Sequence, residues 1–241
     1  FHFSKTSDIP RYDRLIRDDG QGGLFYGNWF YGPQEWILIN NQITLNPKST
    51  SIFDKLKLTT ALQRFSESRN SRKLYEFNLN TRDEKLNILS LNLDLIKKIN
   101  QSSDLTYGLE FIDNKVNSFG TSTDINDFTT TEIASRYPNN SSLKSFGGYF
   151  NYKNKIIDDV FFQSGVRYSF TKLQADLSHN NIYYDFPFQN TTLENSAFVG
   201  GVGFSWVRST YNNWKFNINT AFRSPNIDDL AKVFDSEPGT V

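Results

Sequence analysis

Hydrophobic and polar residues alternate along several stretches of this chain, so that every second side chain is apolar. In Leu89–Leu95, leucines at the odd positions are separated by serine, asparagine and aspartate. Successive side chains of a β-strand point to opposite faces of its sheet, so a period of two predicts a strand. The other apolar sets with this period are Leu56/Leu58/Thr60/Leu62, Leu105/Tyr107/Leu109/Phe111, Val166/Tyr168/Phe170 and Phe216/Ile218/Thr220/Phe222. The sequence therefore predicts several strands, each with one apolar and one polar face.

The breaks between the predicted strands alternate between short and long. Short breaks are expected at about 47–54, 97–103, 154–159 and 208–213. Long breaks are expected at about 67–84, 118–144 and 173–192. Membrane-spanning barrels have short periplasmic turns and longer extracellular loops, and strands of about ten residues suit a tilted bilayer crossing. We therefore predict an all-β fold, an antiparallel transmembrane β-barrel segment of about nine strands.

A soluble β-sandwich that binds carbohydrate or protein is the alternative, because its strands also alternate and aromatic rings also fill its core. No run approaches the roughly 18 apolar residues of a membrane-spanning helix, which excludes a helical membrane protein. A mean hydropathy of -0.54 suits a barrel, because only every second residue of a barrel strand faces lipid. Trp36, Trp206 and Trp214 lie near predicted strand ends, as expected of the aromatic girdles at a membrane interface.

Charge and residue content exclude several classes of function. The chain has 26 lysines and arginines and 26 aspartates and glutamates, with no block of one sign. This balance predicts neither a nucleic-acid-binding surface nor a polybasic lipid anchor. Cysteine is absent, and His2 and His179 are the two histidines, so we expect no resident metal and no cofactor. A third hypothesis, a barrel enzyme such as a lipase or a protease, lacks a recognisable nucleophile, base and orienting acid, and we expect no enzyme activity.

The two ends of the sequence indicate a piece of a larger protein. The chain starts at Phe1, contains no methionine and has no secretory signal peptide. It stops at Val241, within a predicted loop. Bacterial single-chain barrels have an even number of strands and close on themselves, because an open sheet edge in lipid leaves backbone groups without partners. We therefore expect further strands outside this sequence.

Five short segments carry a resemblance to a known family. They are Asp8–Leu15, Tyr31–Trp36, Arg64–Arg69, Arg136–Pro138 and Phe222–Leu230. Together they resemble the barrel region of TonB-dependent outer-membrane receptors, and Asp8–Leu15 and Phe222–Leu230 are the most specific. The resemblance implies that residues 1–241 are part of a barrel domain of about 22 strands. It also implies that the plug domain and the TonB box lie outside this sequence.

The resemblance implies the import of a scarce ligand across the outer membrane of a Gram-negative bacterium. In that family TonB pulls on the plug from the periplasm, so TonB is an expected partner through the missing plug region. Outer-membrane lipid is the second expected partner, and an iron complex is the expected ligand. Asp8–Leu15 and Phe222–Leu230 are most similar to the branch that imports haem or takes it from haemoglobin. Ferric siderophores and cobalamin are the other ligands that the resemblance leaves open.

Several polar residues are candidates for binding the ligand. His179 lies in a predicted extracellular segment, and the resemblance to haem receptors implies that a loop histidine can ligate iron; the alternative is an ordinary solvated histidine. Arginine and tyrosine can hold an anionic group, such as a propionate or a catecholate, by charge-assisted hydrogen bonds and stacking. They can equally fix loops to the barrel rim. The candidates of this kind are Arg11, Tyr12, Arg14, Arg136, Tyr137 and Arg223.

Two other motifs are interpreted as structural. The acidic pairs Asp18–Asp19, Asp158–Asp159 and Asp228–Asp229 fall in predicted turns or loops, where solvated aspartate is common. Gly200–Gly203 superficially matches a phosphate-binding loop, but it lies inside an alternating strand and no helix follows it. Its glycines are expected to ease strand curvature or close packing.

Overall fold

The structure, a computed structural model that describes residues 1–48 and 52–232, is dominated by one antiparallel sheet. Its strands are β1 (His2–Lys5), β2 (Ile9–Pro10), β3 (Tyr26–Tyr31), β4 (Glu35–Leu45), β5 (Lys55–Lys73), β6 (Asn78–Lys98), β7 (Ser103–Asp124), β8 (Thr130–Ile133), β9 (Ser141–Ile157), β10 (Val160–Asp176), β11 (Asn190–Val207) and β12 (Asn213–Asn219). The helices are α1 (Tyr12–Leu15), α2 (Ile227–Ala231) and a 3-10 helix (Asn180–Ile182). Among the described residues, no helix combines the length and the apolar content needed to cross a membrane.

The strands follow one another across the sheet largely in chain order. From edge to edge the order is β1-β4-β5-β6-β7-β9-β10-β11-β12. The short strands are attached beside this path: β2 pairs with β3, β3 with β5, and β8 with β7. Every pairing is antiparallel. The predicted all-β, antiparallel fold is confirmed.

The register between the strands keeps the predicted apolar positions on one side of the sheet. Leu93 lies opposite Leu58 on β5 and opposite Leu109 on β7. The same row continues through β9 to Tyr168 on β10 and Phe198 on β11. A slip of one residue would move a whole apolar set to the other side, so the observed register confirms the predicted phases. We call the side that carries Leu93 the apolar face and the opposite side the polar face.

The apolar face is exposed along the middle of the sheet. Leu109, Phe198 and Phe216 are 49%, 75% and 60% exposed, respectively. A contiguous apolar surface of this extent is rare on a protein in water and marks contact with lipid or with another protein. All described strands belong to one sheet, so the described residues contain no second sheet to cover this face. The sandwich alternative is therefore wrong for this part of the chain, since a sandwich buries its apolar faces against each other.

The polar face at the same level carries charged and hydrogen-bonded side chains. Arg167 on β10 donates to Glu110 on β7, with 2.5 Å between Nη2 and Oε1. Tyr149 on β9 donates its hydroxyl hydrogen to Asp94 on β6. A sheet that is apolar on one side and polar on the other over the same rows has the two surfaces that the wall of a lipid-embedded barrel requires.

The strands extend well beyond the apolar rows, which overturns one predicted loop. The long break predicted at 67–84 is wrong: β5 runs to Lys73, β6 starts at Asn78, and residues 74–77 form the turn. Strand β7, with 22 residues, spans about 70 Å at about 3.3 Å per residue, whereas a tilted bilayer crossing needs about 9–11 residues. The backbone ladder continues outside the apolar rows. The side chains there are mostly polar on both faces, so the alternation that predicts a strand is lost.

The predicted short connections lie at one end of the sheet, which we call the short-turn end. Tight connections between consecutive strands are found there at residues 99–102, 158–159 and 208–212, as predicted. The break predicted at 47–54 is at the same end, between β4 and β5, and its residues 49–51 fall outside the described part. Asp158–Asp159 is itself one of these turns, which agrees with its interpretation as a structural pair.

The longer connections lie at the opposite end, which we call the long-loop end. Residues 177–189 form a loop between β10 and β11, somewhat shorter than the predicted one, and the loop contains the 3-10 helix. The break predicted at 118–144 is wrong in part, because β7 continues to Asp124 and the chain folds back as β8. The loop that remains before β9 covers residues 134–140.

Candidate functional site

Polar and charged side chains from several parts of the chain converge on the polar face at the long-loop end. We call them the rim network, and its members are Arg11, Tyr31, Glu67, Arg69, Arg136, Tyr137 and Asp228. Each member contacts the next, so the network joins the N-terminal segment, β3, β5, the loop at 134–140 and α2.

Arg11 is held against two aromatic rings of β3. Pairing of β2 with β3 sets Ile9 opposite Tyr31. The guanidinium carbon of Arg11 lies 5.4 Å from the ring centroids of both Trp29 and Tyr31. Arg11 also donates to the Tyr31 hydroxyl oxygen at 2.5 Å and to the Asp13 carboxylate at 2.6 and 2.7 Å. The hydrogen bonds to Asp13 raise the pKa of Arg11 above its usual range, so Arg11 is a fixed cation on an aromatic support.

Glu67 is the anionic centre of the rim network. Its Oε1 lies 3.4 Å from Nη2 of Arg69 and 4.0 Å from Nη1 of Arg136. Its Oε2 accepts a hydrogen bond of 3.1 Å from the Gln34 side chain. The guanidinium carbon of Arg69 in turn lies 5.3 Å from the ring centroid of Tyr31. Two arginines therefore share one carboxylate, which leaves this part of the network with an excess of positive charge.

Tyr137 connects the loop at 134–140 to α2. Its hydroxyl donates to Oδ1 of Asp228 at 2.6 Å, and its ring centroid lies 5.0 Å from the guanidinium carbon of Arg136. Burial, and then the hydrogen bond to Asp228, raise the pKa of Tyr137 above its usual range, so the hydroxyl stays protonated and remains a donor. Lys232 is a second partner of Asp228, with 2.8 Å between Nζ and Oδ2.

The loop at 134–140 is anchored by short polar side chains. Ser118 on β7 accepts a hydrogen bond of 3.2 Å from the backbone N–H of Tyr137. The buried side chain of Asn180 accepts one of 3.0 Å from the hydroxyl of Ser135, which ties this loop to the loop at 177–189. Tyr137 and its neighbour Arg136 are therefore presented to the rim network by a loop fixed on two sides.

The segment Phe222–Leu230 follows a strand that ends midway along β11, where Asn219 lies opposite Gly201. Strand β12 ends at Asn219, earlier than the alternation through Phe222 predicts. The chain turns off the ladder, and the hydroxyl oxygens of Ser224 and of Thr171 on β10 lie 2.6 Å apart. Because Thr171 is a β10 residue of the polar face, this hydrogen bond directs the segment across that face rather than along the sheet edge.

Helix α2 closes a small buried core at the long-loop end. Asn226 and Asp229 form a capping box: the Asn226 side chain accepts from the N–H of Asp229, and the Asp229 side chain accepts from the N–H of Asn226. The packed apolar residues are Ala175, Leu177, Phe186, Ile227 and Leu230. Asp228 and Asp229 therefore lie in the first turn of a helix, not in the predicted loop.

The structure brings three of the predicted ligand-binding residues into the rim network, namely Arg11, Arg136 and Tyr137. Tyr12 lies on α1 and is 72% exposed. Arg14 lies on the same helix, with its Nε 3.8 Å from Oδ2 of Asp13.

Arg223 and His179 lie outside the rim network. Arg223 pairs with Asp229 at 2.6 Å, and 74% of its side chain is exposed. His179 is half-buried in the loop at 177–189, and its ring meets Tyr183 edge-on at 5.6 Å between centroids. In the part of the chain that the structure describes, no three His, Asp or Glu side chains are close enough to hold a metal ion.

Glu84 is a buried acid at this end that the sequence did not single out. It lies beyond the apolar rows, opposite Glu67 on β5 and Ser118 on β7. It is 8% exposed, and among the described residues neither carboxylate oxygen has a hydrogen-bond partner. Burial raises the pKa of Glu84 to about 8. Because the sequence predicts a loop at 67–84, it assigns no face to Glu67, Arg69 or Glu84.

A cavity of about 330 Å³ lies between the polar face and α2. Its apolar walls are Phe65, Leu86, Ile88, Val116, Leu143, Leu173 and Ile227. Glu84, Tyr137 and Asp228 contribute polar groups. The cavity therefore adjoins the rim network and combines an apolar surface with acidic and hydroxyl groups.

The fold and the position of the rim network define a class of structure. One antiparallel sheet with an exposed apolar face, a polar face and long loops at one end is a segment of an outer-membrane β-barrel wall. No family model and no curated protein matches the sequence.

Two solved structures that share this fold are transporters. The copper transporter OprC matches with a TM-score of 0.69 and 10% identity, over 82% of this chain and 32% of that chain. The ferric citrate transporter FecA, in its unliganded form, matches with a TM-score of 0.52 and 12% identity, over 88% of this chain and 30% of that chain. At these identities the likeness shows the fold alone. The chain spans about a third of the length of the two structures.

Proposed function

We propose that this chain is part of the barrel domain of a TonB-dependent receptor in the outer membrane of a Gram-negative bacterium. The whole protein, in this proposal, imports a scarce iron complex into the periplasm. The observation that carries the proposal is the exposed apolar face, which alternates residue by residue with the polar face. Lipid covers the apolar face, and the polar face lines the barrel lumen. The likeness in fold to a copper transporter and a ferric citrate transporter supports the same reading.

The rim network suits an anionic ligand. Arg11, Arg69 and Arg136 lie in one chain of contacts, and Glu67 is shared between the last two. Guanidinium groups bind carboxylates and related anions through paired hydrogen bonds. No three His, Asp or Glu side chains of the described residues could hold a bare metal ion. We propose that the complex is held mainly through the anionic groups of its organic ligand.

Haem and ferric siderophores are the two ligand classes that we propose. Both carry anionic groups, the propionates in the first and groups such as catecholates in the second. Haem is favoured by the resemblance of Asp8–Leu15 and Phe222–Leu230 to haem receptors. For haem, His179 is the proposed iron ligand, because its loop is tied to the loop at 134–140 through Asn180.

The proposed partners follow from this class of protein. TonB is the proposed periplasmic partner and acts through the plug of the whole protein. Outer-membrane lipid contacts the apolar face. With a formal net charge of zero, no nucleic-acid partner is proposed.

Growth of a deletion strain under iron limitation tests the import proposal. Haem, a ferric siderophore or ferric citrate is supplied as the sole iron source, in strains with and without TonB. We expect growth on one of these sources to be lost on deletion and restored by the full-length gene only when TonB is present. Unchanged growth on every source would reject the import proposal. If growth on haem is unchanged but growth on another iron source is lost, only the proposal that haem is the ligand is rejected.

Variants of the full-length protein then test the candidate residues. Arg11→Lys keeps the charge but removes the paired donors to Asp13 that fix Arg11 on its aromatic support. We expect about a tenfold rise in the ligand concentration for half-maximal uptake. His179→Ala is expected to abolish uptake of haem and to leave siderophore uptake unchanged. Arg208→Gln, at the short-turn end, is the control and should not affect uptake. Normal haem uptake by His179→Ala would reject the proposed iron ligand.

A further inference from the structure

Apolar side chains also cross the polar face, close to the long-loop end. Five neighbouring strands, β5, β6, β7, β9 and β10, carry one each. We call this set the inner patch; its members are Phe65, Leu86, Val116, Leu143 and Leu173. Each is an odd number of positions from the apolar-face residues of its own strand, so all five belong to the polar face. Because the inside of a barrel is generally polar, the inner patch indicates contact with an apolar partner.

Helix α2 stands over the inner patch and leaves a cavity between them. Its Ile227 forms part of the apolar wall, and the cavity has a volume of about 330 Å³. An apolar cavity of about 150 Å³ binds benzene, so this volume suffices for an aromatic ring and a short chain. Asp228, the next residue of α2, borders the cavity and is 45% exposed, so we expect a ligand to enter beside it.

The charged residues at the cavity wall are mostly acidic. Among the described residues that line it, Glu67, Glu84 and Asp228 are acidic and Lys85 is basic. Glu67 and Asp228 already have partners in the rim network, and Asp228 also pairs with Lys232. The cavity therefore favours a cation over an anion, in contrast to the rim network beside it.

Glu84 is the acid at this wall that has no hydrogen-bond partner among the described residues. It is 8% exposed, and burial raises its pKa to about 8. The neighbouring charges act on this pKa in both directions: Arg69 and Arg82 lower it, and Glu67 and Asp83 raise it. Buried carboxyl groups are normally hydrogen-bonded. This carboxyl lies at the wall of a cavity, where a ligand can supply the donor.

The other elements around the cavity do not supply that donor within the described residues. The Tyr137 hydroxyl, from the loop at 134–140, is paired with Asp228 of α2 at 2.6 Å. Strands β7, β9 and β10 line the described part of the cavity with apolar, serine and asparagine side chains, none of which titrates. Glu84 is therefore the titratable group of this cavity that is left for a ligand.

We propose that the cavity is a binding site for a protonated amine carried on an apolar body, with Glu84 accepting hydrogen bonds from the ammonium group and the inner patch contacting the apolar body. Charge-assisted hydrogen bonds of this kind are roughly twice as strong as neutral ones. The carboxyl of Glu84 is already out of water in the folded protein, so only the amine loses its hydration on binding. Below the pKa of Glu84, the carboxyl releases its proton to solvent when the ammonium binds.

Isothermal titration calorimetry of the full-length protein in detergent tests the proposal with three probes of similar shape. Phenylbutylamine carries an ammonium group, phenylbutanol a neutral hydroxyl and phenylbutyrate a carboxylate; protein-free micelles give the blank. At about pH 9, Glu84 is ionised and an alkyl ammonium, with a pKa near the 10.4 or so of lysine, is still charged. We expect the amine to bind about tenfold more tightly than the alcohol, and phenylbutyrate to bind most weakly. Equal affinities for amine and alcohol would overturn the proposal.

Variants of the cavity separate the carboxyl from net charge. Glu84→Gln keeps the shape of the side chain, and we expect about a tenfold loss of amine affinity with no change for the alcohol. Glu76→Gln, whose side chain is 51% exposed, is the matched control and should bind the amine as the wild type does. An equal loss in both variants would overturn the proposal. Val116→Phe fills the cavity and should weaken amine and alcohol alike; unchanged binding would reject this cavity as the site.

The pH dependence of amine affinity gives a second measurement. Because Glu84 releases a proton on binding, the affinity should rise with pH by up to about tenfold for each unit, and level off above the pKa of about 8. Titrations in buffers of different ionisation enthalpy should show this proton release. Glu84→Gln should give a flat profile. A flat profile in the wild type would overturn the role of Glu84.

These measurements are independent of the import proposal. Absence of amine binding in a protein that still imports its iron complex would reject the amine site alone. Selective amine binding that depends on Glu84, in a protein whose deletion leaves growth on every iron source unchanged, would support the amine site and reject the import proposal.

Discussion

The two halves of the long strands differ in how they are stabilised, and β6 contains both. From Leu89 to Leu95, apolar side chains cover one face and polar side chains the other, as a strand in lipid requires. From Asn78 to Lys85, nearly every side chain is polar. Pairing with β5 and β7 is nevertheless continuous through both halves. The comparison shows that the backbone ladder and polar cross-strand contacts carry a strand well past the point at which alternation stops.

Leu93→Arg is expected to have the largest effect, because it places a charge on the apolar face between Leu58 and Leu109. An arginine at the middle of the lipid-facing side of a barrel costs about 2–4 kcal/mol. The measurement is the free energy of unfolding of the full-length protein in lipid vesicles, from urea titrations of wild type and variant.

Asn92→Arg is the matched control for Leu93→Arg. It adds the same charge one residue away, on the polar face, where Glu110 is its register partner on β7. We expect a change well below that of Leu93→Arg. Equal destabilisation by the two variants would contradict the assignment of the faces and, with it, the comparison of the two halves.

Glu84 lies in the polar half of β6, and the pH dependence of the free energy of unfolding tests its contribution there. Its pKa is raised to about 8 in the folded protein, chiefly by burial, from about 4.3 in an unfolded chain. The protonated form is therefore favoured by folding. The stability that it contributes is complete below the unfolded pKa and is lost as the pH rises through the folded pKa, by at most about 1.4 kcal/mol for each pH unit.

Glu84→Gln is expected to remove this part of the pH dependence, because the amide stays uncharged. The free energy of unfolding of the full-length protein is compared with that of wild type across the interval between the two pKa values. Glu76→Gln, whose side chain is 51% exposed, is the control and should retain the wild-type profile. A wild-type slope in Glu84→Gln would show that the buried carboxyl is not the group responsible.

The apolar half of the strands could be predicted from the sequence because a period of two fixes a face for every residue. The face that Leu58, Leu93 and Leu109 share follows from that period. Their register does not, because a slip of two residues would keep every side chain on its face, and it is the strand pairing that shows it. The polar half of the strands could not be predicted from the sequence. Both of its faces carry Ser, Arg and Asn, and a segment with this composition is indistinguishable from a loop. The break expected at 67–84 is wrong for this reason, although the connections at the short-turn end were located correctly.

The rim network was predictable only in part. Arg11, Arg136 and Tyr137 stand in short motifs that could be identified as candidates from residue type. Glu67 and Arg69 belong to the polar half of β5, where no face could be assigned. Asp228 required the fold of the segment after β12, since its contact with Tyr137 joins residues that are 91 positions apart. Distant contacts of this kind leave no periodic signal in a sequence.

Tyr137→Phe has the smallest expected effect and tests whether the rim network stabilises the long-loop end. The change removes the hydroxyl that donates to Asp228 at 2.6 Å, and a hydrogen bond to a charged group contributes about 1.5 kcal/mol at the lower end of its usual range. We expect faster hydrogen exchange in α2 and in the loop at 134–140, with no change in the apolar half of the strands.

Tyr12→Phe is the control, because Tyr12 is 72% exposed. If exchange in α2 is the same in Tyr137→Phe and in Tyr12→Phe, the contact with Asp228 does not hold this end together. Faster exchange that also reached Leu89–Leu95 would mean that the two halves of the strands are one cooperative unit.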